Sequence, residues 1–95
     1  MKLIVTTIAL QEIVEAKEFY ALESEFLPKL FFNEIKEAFR LIKTFPKAWQ
    51  NDSANKRCFF MHRFPFKIIY SYDNEEIVVV AFAHQHREPE YWLNR

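Results

Sequence analysis

Residues Phe66 to Ala83 read FKIIYSYDNEEIVVVAFA, two β-branched and aromatic runs on either side of a short polar break. This composition predicts a β-hairpin with arms Phe66 to Tyr72 and Ile77 to Ala83. Its turn is expected at Asp73-Asn74, because Asn and Asp tolerate positive φ better than other non-glycine residues. Alternation along the second arm puts Val78, Val80, Phe82 and His84 on one face and Ile77, Val79, Ala81 and Ala83 on the other. Both sets begin apolar, so this strand is expected at the centre of a sheet.

Upstream, Arg57 to Arg63 is a further strand-like run, separated from the hairpin by Pro65; downstream, Pro89 marks the end of regular structure. At the start of the chain, Leu3 to Thr6 is a short β-branched run, and Thr7 can cap a helix from Ile8 to about Glu23. Leu10, Ile13, Val14, Ala16, Tyr20 and the stem of Lys17 form its apolar face, opposite Gln11, Glu12, Glu15 and Glu18. Ser24 can cap a second helix, which carries Pro28 in its opening turns and runs to Phe45 before Pro46 stops it. Lys47 to Lys56 has turn chemistry and no periodicity. The order β-α-α-β-β-β predicts an α+β fold, with a helix hairpin on one face of a mainly antiparallel four-stranded sheet, as a single domain over residues 1–95.

Phe31, Ile35, Ala38, Phe39 and Ile42 make one stripe of the second helix, while Phe26, Leu30 and Leu41 lie away from it. That second set either packs on the first helix or stays exposed for a partner.

Composition narrows the function. The chain is 51% hydrophobic and 18% aromatic, which excludes disorder. Thirteen basic and thirteen acidic residues leave no net charge, so phosphate binding by bulk charge is not expected. Glycine is absent, which excludes Gly-rich phosphate loops. A lone cysteine, Cys58, forms no internal disulfide, and no apolar run is long enough for a signal peptide or a membrane helix. A cytoplasmic protein with no membrane role is expected.

The charges are unevenly spread. Lys47, Lys56, Arg57, Arg63 and Lys67 lie between positions 47 and 72 with Asp52 as the lone acid, whereas Asp73, Glu75, Glu76, Glu88 and Glu90 come after them with only Arg87 in opposition. Phe59, Phe60, Phe64 and Phe66, interleaved with the basic residues, fit a core or a base-stacking surface. His84 and His86 could share a metal, but no third ligand has suitable spacing, so no metal site is expected. A partly buried strand-end histidine is the plainer reading of His84, and an ion pair with Glu88 or Glu90 that of Arg87.

Two segments carry a resemblance. Arg63-Phe64-Pro65-Phe66-Lys67-Ile68-Ile69-Tyr70, and Ala81 to Trp92 (AFAHQHREPEYW) followed by Arg95, resemble two motifs of the RelE/ParE toxin superfamily of type II toxin-antitoxin modules. Phe19-Tyr20 late in the first helix and the loop after Pro46 extend the likeness over nearly the whole chain. It implies an α+β toxin with a cognate antitoxin as partner and no cofactor. RelE-like members cleave messenger RNA in the ribosomal A site without metal; ParE-like members poison DNA gyrase and have no hydrolytic site.

RNA cleavage through the 2′-hydroxyl needs a base, an acid and cations around the phosphorane. Cys58 and Phe60 stand where RelE-like nucleases carry strand lysines, and Lys67 replaces an arginine, which loses the bidentate fork. The likeness is therefore nearer the ParE-like side. It implies a target-binding set of Arg63, Arg87, Tyr91, Trp92 and Arg95, and antitoxin binding through Phe26, Leu30 and Leu41. The alternative is a degenerate endoribonuclease with Arg87, Lys67, His84 and His86 as its catalytic residues and ribosome-bound mRNA as its target.

Overall fold

The computed structural model describes residues 1–51, 55–87, 91–92 and 95. Strand β1 (Lys2–Val5) is followed by helices α1 (Thr7–Glu23) and α2 (Leu27–Thr44), then strands β2 (Arg57–Phe60), β3 (Phe66–Asp73) and β4 (Glu76–His84). The four strands form one sheet in the order β1-β4-β3-β2, with β1 parallel to β4 and the other pairs antiparallel. As its doubly apolar pattern requires, β4 is internal. The α+β class, the element order and the helix hairpin are those expected from the sequence. Pro89, Glu88, Glu90, Asp52 and Ser53, all singled out in the sequence, lie outside the described residues.

Capping differs in detail. Thr6, not Thr7, caps α1, its hydroxyl accepting from Ala9 N–H at 3.2 Å. Ser24 ends α1 in extended backbone, and its hydroxyl accepts from Phe26 N–H at 3.1 Å, so it shapes the link between the helices rather than capping the second. Pro28 sits in the first turn of α2, where its missing N–H costs nothing.

The hairpin turn falls one residue later than Asp73-Asn74. Asp73 pairs with Glu76, and the two loop residues are Asn74 and Glu75, at φ 50° and 61°. Two positive φ values make a primed turn, whose twist suits the arms, and in a chain without glycine a glutamate occupies its second position. For an L-residue with a long side chain that conformation costs about 1 kcal/mol. Glu75→Gly is therefore expected to stabilise the protein by roughly 0.5–1 kcal/mol after the entropy of the more flexible unfolded chain is deducted. Urea unfolding of the two proteins checks this; an unchanged or lower midpoint would show that the turn is unstrained.

A second irregularity changes which residues meet. The β3–β4 register pairs Ile69 with Ala81 and Tyr70 with Val79, so β4 bulges at Val80. Strict alternation therefore fails: Ile77, Val79 and Phe82 face the helices, while Val78, Val80, Ala81 and Ala83 face the opposite side.

Two cores result. On the helix side, Phe31, Ile35, Ala38 and Ile42 of α2 and Ala9 and Ala16 of α1 pack on Phe59, Ile68, Tyr70, Ile77, Val79 and Phe82. Tyr20, Phe31, Phe64, Phe66 and Phe82 form an aromatic cluster there, with centroids 4.8–6.3 Å apart. On the other side, Cys58, Ile69, Val80, Ala81 and Ala83 are covered by Trp92, itself 1% exposed.

The helix α1 is not turned as the sequence suggested. Its buried arc is Ala9, Ile13, Ala16 and Tyr20 together with the half-buried Glu12, and Leu10 and Val14 are exposed. The small alanines let α1 approach β4 closely, which larger side chains would prevent.

Candidate functional site at the end of β4

Strand β1 is shorter than β4. It pairs with β4 only as far as Val79, with Thr6 N–H donating to Val79 C=O at 3.1 Å. Beyond that point β4 has an open edge, whose backbone groups need partners. Side chains supply them. Phe82 N–H donates to Glu12 Oε1 at 3.0 Å, and Arg95 Nη1 donates to Val80 C=O at 3.0 Å.

The same two side chains are joined. Arg95 donates to Glu12 through Nη1 at 2.8 Å and Nη2 at 3.2 Å, a bidentate pair whose side chains are 19% and 22% exposed. Tyr91 Oη donates to Glu12 Oε2 at 3.1 Å. Burial, reinforced by the negative charge of Glu12 beside it, pushes the Tyr91 hydroxyl up to about 12, so it stays a donor at physiological pH. The hydrogen bonds to Glu12 raise the Arg95 guanidinium above its ordinary value.

On this frame sit the groups left free. The Arg87 guanidinium lies 4.4 Å from the Tyr91 ring centroid and that of Arg95 lies 4.8 Å from it. Arg87, His84 and His86 are exposed. Arg87 N–H donates to His84 C=O at 2.9 Å and His86 N–H to His84 Nδ1 at 3.2 Å, which closes a tight turn after the strand. Gln85 fastens that turn to the loop before β3, donating from its backbone to Pro65 C=O at 2.8 Å and from its side chain to Met61 C=O at 3.3 Å. Glu12, Glu15, Phe82, His84, Arg87 and Tyr91 border a shallow groove of about 290 Å³.

The candidate catalytic set is not assembled. Lys67 is buried, 7% exposed, on the side of the sheet away from the helices. Its ammonium lies 5.6 Å from the Trp92 ring centroid and donates to Arg87 C=O at 3.4 Å. His84, by contrast, stands beside Phe66 on the helix side, their rings 5.8 Å apart. The sheet separates the lysine from the histidine, so the two do not flank one phosphate. His84, His86 and Arg87 alone share an exposed surface.

The target-binding set also divides. Arg87 and Tyr91 are together and Arg95 supports them, whereas Trp92 is core. Arg63 borders a different groove, with Leu30, Glu34 and His62. There the Glu34 carboxylate accepts from the backbone N–H of His62 and Arg63, at 2.9 Å and 3.1 Å, pinning the β2–β3 loop to α2. Of the interleaved phenylalanines Phe59 and Phe64 are buried, Phe66 is half-buried in the aromatic cluster, and Phe60 is exposed, so no base-stacking row exists.

On the outer side of the helix hairpin, Phe26 is 71% and Leu30 43% exposed, and they border a groove of about 390 Å³ with Glu25, Lys29 and Asn33. Leu41, grouped with them by sequence, is half-buried against the helix-side core. Among the described residues no three His, Cys, Asp or Glu side chains are grouped to hold a metal, and no helix is long and apolar enough to cross a membrane.

Glu12 is the residue that sequence reasoning missed. Its signal was present: it stands three residues after Ala9 and four before Ala16, in register with the buried arc of α1. Tyr70 is structural in the same manner. Fully buried, it donates to Pro46 C=O at 2.7 Å, and burial raises its hydroxyl to about 12.

Among solved structures the chain is similar to one titled "Chromosomal ParDE TA system from P. aeruginosa", with a TM-score of 0.66 and 14% identity over 88% of this chain and 95% of that one. At that identity the likeness is one of fold. Comparison with curated proteins gives no match. The family model described as the ParE toxin of the type II toxin-antitoxin system, parDE, matches residues 3–89, and the chain belongs to that family as a ParE-like type II toxin.

Proposed function

We propose that this toxin acts by gripping a macromolecular target such as DNA gyrase through the surface after β4, with Arg87 as the principal contact, and that it does so in the cytoplasm without cleaving RNA. The observation that carries the reading is the position of Lys67. With its ammonium withdrawn beneath Trp92, the exposed surface holds Arg87, His84 and His86 but lacks the cluster of cations that a phosphorane needs. What remains suits binding. An exposed guanidinium stacked on a fixed aromatic ring is ready to pair with a carboxylate or phosphate of the target. A gyrase supercoiling assay run beside transcript cleavage in a translating extract tests this. Inhibition of supercoiling with intact transcripts is expected; cleaved transcripts and unaffected supercoiling would overturn it.

As a type II toxin the protein has a cognate antitoxin. Its docking place is assigned to the outer side of the helix hairpin, because Phe26 and Leu30 are large, apolar and exposed around one groove. Replacing both by Ser is expected to leave folding intact, since neither is core, and to weaken antitoxin binding by roughly 2 kcal/mol or more, the loss of two apolar anchors. Calorimetric titration checks it; unchanged affinity in a folded double variant would move the interface elsewhere.

A further inference from the structure

Four donors converge on the Glu12 carboxylate: Phe82 N–H and Arg95 Nη1 on Oε1, and Tyr91 Oη and Arg95 Nη2 on Oε2. A carboxylate offers about four acceptor directions, so this one is saturated. Repair of the open β4 edge accounts for the bond to Phe82 and for the Arg95 bond to Val80 C=O. It does not account for Tyr91, whose hydroxyl meets no edge group. Tyr91 is held by its oxygen, and its ring carries the Arg87 guanidinium 4.4 Å from its centroid.

We propose that Glu12 is a positioning residue for the target-binding surface: by fixing Tyr91 and Arg95 against the open edge of β4, it presents Arg87 in one orientation. The inference rests on Arg87 being the target contact. An arginine side chain has many rotamers, and binding must freeze them; stacking on an immobilised ring removes part of that cost before the target arrives. Glu12 therefore acts from α1, through Tyr91, on a residue it does not touch.

The test is a cycle built on Glu12→Gln, with toxicity titrated by inducer at matched protein abundance. The amide keeps an oxygen for Phe82 N–H while losing the charge facing Arg95 and one of the two acceptors. The variant is expected to fold and to bind antitoxin as the parent does, and its toxicity is expected to fall roughly tenfold, the worth of a charge-assisted hydrogen bond. Arg87→Lys, which keeps the charge and loses the planar stack, gives a graded loss of its own. Combined with Glu12→Gln it should cost less than the two losses together, because both spoil one arrangement. Tyr91→Phe, which keeps the ring and deletes the hydroxyl, should reproduce part of the Glu12→Gln defect and serves in its place if that variant does not fold.

Full toxicity of a folded Glu12→Gln or Tyr91→Phe, or strictly additive losses, overturns the positioning role while leaving Arg87 as the contact. Failure of both variants to fold assigns Glu12 to stability alone and overturns it too. Full toxicity of Arg87→Ala refutes the underlying reading of Arg87 instead, so the two failures are told apart by that arm.

Discussion

Arg87→Ala is expected to abolish growth arrest on induced expression while the purified protein melts within a few degrees of the parent. The loss of function is large because the guanidinium is exposed, stacked and aimed outward from a turn that is held at both ends. A charged anchor of this kind typically contributes about 2 kcal/mol or more to an interface, which is thirtyfold or more in affinity. The change in stability is small for a separate reason. The contacts that hold the turn are made by the Arg87 backbone, whose N–H donates to His84 C=O and whose carbonyl accepts from Lys67, and alanine retains both. Only the stacking on Tyr91 is lost, about 0.5–1 kcal/mol at an exposed site. That corresponds to roughly 4–8 °C at most for a domain of this size. Growth curves, antitoxin titration and thermal melts on one preparation check the prediction. A variant as toxic as the parent, or one that no longer folds, would remove Arg87 from the target surface.

Much of the fold was legible because the relevant signals are local. The doubly apolar pattern of Ile77 to Ala83 required an internal strand, and Phe31, Ile35, Ala38 and Ile42 named the buried face of α2 by spacing alone. The errors arose where pairing overrides spacing. Nothing in the β4 sequence marks the bulge at Val80, which depends on the register with β3 and transfers Phe82 to the helix side. Likewise the turn lies on Asn74 and Glu75 because Asp73 is claimed by its partner Glu76, although Glu75 has poor turn chemistry. Of the site, Arg87 was legible from its place after a buried strand. Lys67 was not, since only the sheet decides which side of it a β3 residue occupies. Glu12 was obscured by a helix that is apolar on more than one side, where Leu10 and Val14 competed with Ala9 for the role of inner face.

Trp92 belongs to the closing motif and yet is core, and Trp92→Ala is expected to cost about 3–5 kcal/mol, the range for removing a buried aromatic side chain. On the side of the sheet away from the helices it is the cover over Cys58, Ile69, Val80, Ala81 and Ala83. A buried tryptophan removes about 200 Å² from water, worth about 5 kcal/mol at roughly 25 cal/mol/Å², and no other large aromatic stands in that cluster of buried residues to replace it. Its loss also strips the ring from above the Lys67 ammonium and opens that buried charge to water. Against a total stability of roughly 5–15 kcal/mol this is a large fraction, so toxicity should fall in step with folded protein rather than ahead of it. Trp92→Phe separates packing from contact. Among the described residues Trp92 Nε1 has no hydrogen-bond partner, so replacing the indole deletes a buried N–H that is already unsatisfied. That gain of about 1 kcal/mol or more offsets part of the lost volume, and the variant should unfold within about 1.5 kcal/mol of the parent and remain toxic. Urea unfolding monitored by circular dichroism, with toxicity scored per folded molecule, checks both. A Trp92→Ala protein as stable as the parent and yet harmless would make Trp92 a target contact, which its burial on the far side of the sheet from His84 argues against.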